Sequence, residues 1–89
     1  MIRRSYTFTG RVQHVGFRWR ARRAAEMFGC TGWCRNNPDG SVSMEIQGPG
    51  AKIDLVIAAI RCSRYIHVEH MEFTALPEAP DETGFISEY

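Results

Sequence analysis

Thr31-Gly32-Trp33-Cys34-Arg35-Asn36-Asn37-Pro38-Asp39-Gly40-Ser41-Val42-Ser43-Met44-Glu45-Ile46-Gln47 is the stretch on which the reading of the fold turns. Its centre, Asn37-Pro38-Asp39-Gly40, is a strong turn signal, because proline presets φ, aspartate bonds nearby backbone and glycine accepts positive φ. After it Val42, Met44 and Ile46 alternate with Ser43, Glu45 and Gln47, the period of a strand with one buried face. Thr31 to Asn36 reads as the partner strand, so a β-hairpin is expected.

Outward on the N-terminal side, Phe17, Ala21, Ala24, Ala25 and Phe28 recur at helical intervals, and Gly29 supplies a left-handed stop. Before them Arg4 to Thr9 alternates as a strand that Gly10 ends. On the C-terminal side Gly48-Pro49-Gly50 breaks the chain. Ile53, Val56, Ile57 and Ile60 then define a second amphipathic helix ending near Cys62. Val68 to Ala75 alternates except for a slip near Glu69-His70, which predicts a bulged strand. Leu76 to Thr83, with Pro77 and Pro80, reads as an exposed loop, and Phe85 to Tyr89 as a short edge strand holding the C-terminus. The order β-α-β-β-α-β plus a tail predicts an α+β, ferredoxin-like split-βαβ sandwich, with two helices on one face of an antiparallel sheet. Residues 1–89 are expected to form one domain.

Of the 89 residues, 44% are hydrophobic and 24% charged, a composition that excludes disorder for most of the chain. The longest aliphatic run, Leu55 to Ile60, falls well short of the about 20 residues that a membrane helix needs. Arg3-Arg4 is followed by polar residues rather than an apolar export core, so a cytoplasmic protein with no membrane partner is expected. Cys30, Cys34 and Cys62 are odd in number and match no zinc spacing, so they read as reduced structural thiols.

The net charge of +1 conceals an asymmetry. Residues 1–35 hold eight arginines against Glu26, whereas residues 36–89 hold three cations against nine acids. The anion-attracting half is N-terminal, and arginine is the side chain whose planar fork grips carboxylate or phosphate.

Within that half, Gly10-Arg11-Val12-Gln13-His14-Val15-Gly16-Phe17-Arg18 joins a strand to a helix, where backbone N–H groups converge at the positive end of the helix dipole. It matches neither a Walker A loop nor G-x-G-x-x-G, so nucleotide binding is disfavoured. Arg18, Arg20, Arg22 and Arg23 crowd the first turns of the helix, each opposing the macrodipole by about 0.3–1 kcal/mol. Two readings stand: a bound anion offsets that cost, or the arginines extend into solvent. Asn36 and Asn37 likewise have two readings, as turn residues or as an amide that holds a water. Asn36, at the rigid end of a strand, suits the second better than Asn37.

The run Gly10 to Arg18, followed by Gly32-Trp33-Cys34-Arg35-Asn36 and Asp39-Gly40-Ser41-Val42, closely resembles the acylphosphatase family. Gln47-Gly48-Pro49 and Phe85-Ile86-Ser87 extend the resemblance over nearly the whole chain. It implies a small, metal-free and cofactor-free enzyme that hydrolyses acyl phosphates to a carboxylate and inorganic phosphate. By that resemblance Arg18 binds the phosphoryl group, the amides of Gln13, His14, Val15, Gly16, Phe17 and Arg18 cradle it, and Asn36 positions the attacking water. Inorganic phosphate is then both product and competitive inhibitor.

The chain departs from the family pattern at His14, where glycine is usual, and this puts the loop's geometry in question. Histidine tolerates positive φ better than most residues, and once protonated it would add a cation beside the phosphate. Glu88 stands where a basic residue is common, which argues against a contribution from the tail. His67-x-x-His70 is disfavoured as a metal pair, because residues three apart in a regular strand face opposite ways. Trp19 and Trp33 read as core or rim aromatics. An RNA-binding module of similar fold lacks its required aromatic run here, so no nucleic-acid partner is expected. A ligand-sensing domain that keeps the pocket without turnover is a third reading. Cys30 and Cys62 both follow helices that run in similar directions, which leaves a disulfide between them open. No large apolar stripe is evident, and a monomer is expected.

Overall fold

The hairpin forms as its turn chemistry dictates. Strands β2 (Thr31–Asn36) and β3 (Val42–Gly48) pair antiparallel from Thr31 opposite Gln47 to Asn36 opposite Val42. Asp39 Oδ1 closes the turn by accepting from the Ser41 N–H at 2.9 Å and the Ser41 hydroxyl at 2.6 Å. The computed structural model describes residues 1–88, and around this hairpin it sets β1 (Ile2–Arg11), α1 (Phe17–Phe28), α2 (Gly50–Arg61), β4 (His67–Leu76) and β5 (Phe85–Glu88). The strand order is β4-β1-β3-β2-β5.

Alternation decides which face is buried. Tyr6 and Phe8 of β1 stand opposite Met44 and Val42 of β3, and together these form the floor of the core. Phe17, Ala21 and Ala25 of α1 close over that floor with Ile53, Val56 and Ile60 of α2. Phe8, Phe17, Met44, Ile46, Ile53 and Ile60 are completely or almost completely buried. Each contributes about 1.5–3 kcal/mol relative to an exposed side chain. Gly29, at φ 71°, ends α1 as expected, and its neighbour Cys30 turns into the core.

Three features differ from the sequence reading. Gly10 does not end β1. The strand runs on to Arg11 through a bulge in which Thr9 opposes His70 but Gly10 opposes Val68, leaving Glu69 as the extra residue. Gly10 has φ 116°, and a Cβ there would lie 2.4 Å from the His67 carbonyl oxygen, so only glycine fits this crossing. The bulge also sets His67 and His70 against Arg11 and Thr9, two residues apart on β1 rather than three. Regular-strand geometry therefore does not describe that pair; among the described residues, no group of three or more potential ligands could hold a metal ion.

Second, β1 to β4 form the expected antiparallel sheet, but β5 joins β2 in parallel and makes the five-stranded sheet mixed. Tyr89, expected in the same strand, lies outside the described residues. Third, the loop after β4 is anchored rather than wholly exposed. The Gln47 side chain donates to the Ala79 carbonyl at 3.1 Å and accepts from the Ala79 N–H at 2.7 Å. Arg3, 6% exposed, forks onto Glu82 at 2.7 and 2.9 Å and onto Glu45 at 3.0 Å. No described helix is long and apolar enough to cross a membrane.

Candidate active site

Residues 12–16 carry the chain from β1 into α1. Val12 is buried in the core and Val15 packs against it, which pins the loop from beneath. Between and after them the backbone takes two left-handed steps, His14 at φ 61° and Gly16 at φ 82°. His14 is the one non-glycine residue with positive φ among the described residues, so the position where glycine is usual does require that conformation. Gly16 is the N-cap of α1, no side chain hydrogen-bonds to the cap, and the first turn holds no acidic residue. The amides at the start of α1 therefore converge on a positive dipole end without an internal anion.

The loop forms one wall of a cleft of about 360 Å³. Of the residues singled out from sequence, His14, Gly16, Phe17, Arg18 and Asn36 line it together, joined by Val12, Trp19, Arg22 and Ser87. Gln13 and Val15 are not in the lining. The Gln13 side chain points elsewhere, its Nε2 donating to the carbonyls of Asn37 at 2.7 Å and Ser41 at 2.9 Å. It thereby ties the loop to the hairpin turn.

The two asparagines separate cleanly. Asn37 Nδ2 donates to the hydroxyls of Ser41 at 2.9 Å and Ser43 at 2.8 Å, which is a turn role. Asn36 ends β2 and its Oδ1 is buried with no hydrogen-bond partner, the one such side-chain atom among the described residues. An orphaned buried acceptor costs about 1–3 kcal/mol, and this one belongs to a residue that lines the cleft.

The crowded arginines of α1 take different partners. Arg18 Nη1 donates to the backbone carbonyl of Glu88, so the tail does reach the cleft, through its main chain rather than through the Glu88 side chain. Arg20 Nε donates to the Ala59 carbonyl in the last turn of α2 at 2.6 Å, where a cation suits the dipole. Arg22 meets Glu26 at 3.5 Å, and the Arg23 guanidinium lies 5.1 Å from the centre of the Trp19 ring. Trp19 itself is an exposed rim aromatic.

Cys34, opposite Ser87 in the sheet, is fully buried, and burial pushes its thiol up to about 12 against the opposing pull of Arg18 and a hydrogen bond with Ser87. It is protonated at neutral pH and is no nucleophile. Cys30 and Cys34 are buried, Cys62 is exposed, and all three are free in this structure.

Two polar cleft residues were not singled out individually in the sequence. Arg22 was visible only as a member of the arginine cluster, although its i+4 spacing from Arg18 places both on one helix face. Ser87 reaches the cleft only because β5 pairs parallel to β2, which no local pattern shows.

A family model described as acylphosphatase matches residues 4–87. The acylphosphatase of Lactobacillus johnsonii is 40% identical over 79 residues, spanning 86% of this chain and 87% of that one. That of Koribacter versatilis is 43% identical over 85 residues, spanning 94% and 74%. The crystal structure of acylphosphatase from Bacillus subtilis superposes with a TM-score of 0.91 at 27% identity, each chain covered in full. With a loop at a helix start, an arginine and an orphaned asparagine sharing one cleft, and relatives of this length and identity, the chain belongs to the acylphosphatase family, hydrolases of small acyl phosphates.

Proposed function

We propose that this acylphosphatase works by a division of labour: the residue 13–18 loop and Arg18 hold the phosphoryl group, and Asn36 holds the water that attacks it. The observation that carries this reading is the buried, partnerless Oδ1 of Asn36 in the same cleft as Arg18 and the start of α1. A water donating to that oxygen satisfies it and is fixed beside the anion site.

In the reaction a water oxygen bonds to phosphorus as the bond from phosphorus to the acyl oxygen breaks. Both water hydrogens end on the phosphate, giving dihydrogen phosphate and a carboxylate. A carboxylate leaves without protonation, so the site needs no general acid; its work is positioning and stabilising equatorial charge. The Arg18 guanidinium supplies a fixed cation, steadied by the Glu88 carbonyl, and the loop amides supply aligned donors. Gln13 acts through its side-chain bonds to the hairpin turn, which fix the loop relative to the end of β2. The His14 side chain lines the same cleft wall.

A site built for one phosphoryl group also binds the product, so inorganic phosphate acts as a competitive inhibitor; kinetics flat in rising phosphate would contradict this. A monomer working in the reducing cytoplasm fits the three free thiols. The direct test is hydrolysis of benzoyl phosphate in the presence of chelator, with folding of each variant checked by circular dichroism. Wild type turns over, and Arg18→Ala and Asn36→Ala each lose on the order of 10²-fold or more. A folded but inert wild type would reduce the cleft to a phosphate-sensing site.

A further inference from the structure

The mechanism above leaves one cation of the cleft without a task. Arg22 follows Arg18 by four residues on α1, so the two stand on the same helix face, and both line the cleft. Its neighbours are committed elsewhere: Arg20 to the Ala59 carbonyl and Arg23 to the Trp19 ring, neither of them lining the cleft. Among the described residues Arg22 meets Glu26 through a 3.5 Å contact from its Nε, with both side chains more than half exposed. A pair so long and so solvated is readily exchanged for another anion.

The stereochemistry of the reaction says which anion. In-line displacement puts water and leaving carboxylate on opposite sides of phosphorus. The water belongs at Asn36, whose Oδ1 is buried at the sheet end of the cleft. The acyl group therefore leaves away from that buried end, toward solvent, and Arg22 is a solvent-exposed member of the cleft lining. We propose that Arg22 is a specificity-determining residue that reads the acyl half of the substrate and favours acyl phosphates bearing a second anionic group, a carboxylate or a phosphate ester. The proposal rests on the acylphosphatase reading of the cleft. A guanidinium fork suits that recognition because it binds such groups through two parallel hydrogen bonds, and Glu26 keeps the side chain extended along α1 until a substrate anion replaces it.

The test compares 4-carboxybenzoyl phosphate with benzoyl phosphate, which share leaving-group chemistry and differ by one distant carboxylate. The readout is the ratio of their kcat/KM values. In Arg22→Gln that ratio falls about three- to fivefold, as loss of one solvated charge pair allows. Arg22→Lys restores part of it, and Arg23→Gln, which removes the same charge one residue away, leaves the ratio as in wild type. A ratio unchanged in Arg22→Gln, or lowered equally by Arg23→Gln, overturns the proposal, since the effect would then be absent or due to net charge. A folded wild type inert toward both substrates overturns the acylphosphatase mechanism itself, an outcome distinct from an active enzyme with an unchanged ratio.

Discussion

The side-chain amide of Gln13 is bonded to two carbonyls of the hairpin turn, Asn37 at 2.7 Å and Ser41 at 2.9 Å, and so locks the loop between β1 and α1 to the strand end that carries Asn36. Arg18 and Asn36 lie on separate elements, α1 and β2. Their spacing depends on such cross-braces as much as on the sheet.

Gln13→Ala removes that brace. The Asn37 carbonyl still accepts from the Gly40 N–H at 3.1 Å and the Ser41 carbonyl from the Asn37 N–H at 2.8 Å, so the loss of the two side-chain bonds costs about 0.5–1.5 kcal/mol of stability, read from urea midpoints. Turnover of benzoyl phosphate falls about tenfold at saturating substrate, because the water and the phosphoryl group lose alignment. A stability loss with kcat untouched would show that the brace has no part in alignment.

His14 sits at φ 61° with a side chain where glycine is the easier residue. A left-handed residue with a Cβ carries about 1 kcal/mol of strain, offset in a glycine variant by greater unfolded-chain entropy. His14→Gly is therefore neutral or stabilising by up to about 1 kcal/mol, whereas the β-branched His14→Val destabilises by about 1–2 kcal/mol. Thermal unfolding separates the two, and a His14→Gly protein less stable than His14→Val would contradict the assigned backbone.

Legibility in the sequence follows the range of the interaction that fixes each feature. Both helices, the hairpin and the bulge at Glu69 were readable because local periodicity and turn chemistry determine them. The direction of β5 was not, since four residues cannot specify whether they join β2 parallel or antiparallel; packing of Phe85 into the core does. Arg3 resembled the start of an export signal and is instead a buried ion-pair centre, because Glu45 and Glu82 meet it only in the folded chain. Arg18 and Asn36 were legible through the family resemblance, while the partnerless oxygen that gives Asn36 its physical reason exists only in three dimensions.

The Arg3–Glu82 pair gives the fold a pH dependence. Burial raises the Glu82 carboxyl, but hydrogen bonds from Arg3 and Thr31 outweigh it and set the net shift below the usual carboxylate range. A depressed carboxyl contributes stability that is present above its unfolded pKa, about 4.3, and is lost as pH falls through the lower folded value. Glu82→Gln is thus less stable than wild type by about 1–3 kcal/mol at pH 7, and the gap closes as the pH is taken from 5 toward 2. Denaturant midpoints across that range check it; a gap constant with pH would contradict it.

The thiols offer a simple test of the core. Cys34 is fully buried with its thiol pushed to about 12, Cys30 is buried with its thiol also raised by burial, and Cys62 is exposed. At neutral pH without denaturant one thiol reacts quickly with a disulfide reagent, and in denaturant all three do. Two or three fast thiols in the native protein would mean that Cys30 or Cys34 is not where the structure puts it.

The central claim is that Arg18 and Asn36 do separable work, one holding phosphate and the other holding water. The most direct measurement pairs calorimetric binding of inorganic phosphate with benzoyl phosphate turnover in wild type, Arg18→Ala and Asn36→Ala. The account predicts that Arg18→Ala loses both binding and turnover, while Asn36→Ala binds phosphate within about threefold of wild type yet loses turnover on the order of 10²-fold. An Asn36→Ala enzyme that keeps its turnover, or that loses phosphate binding as completely as Arg18→Ala does, would contradict it.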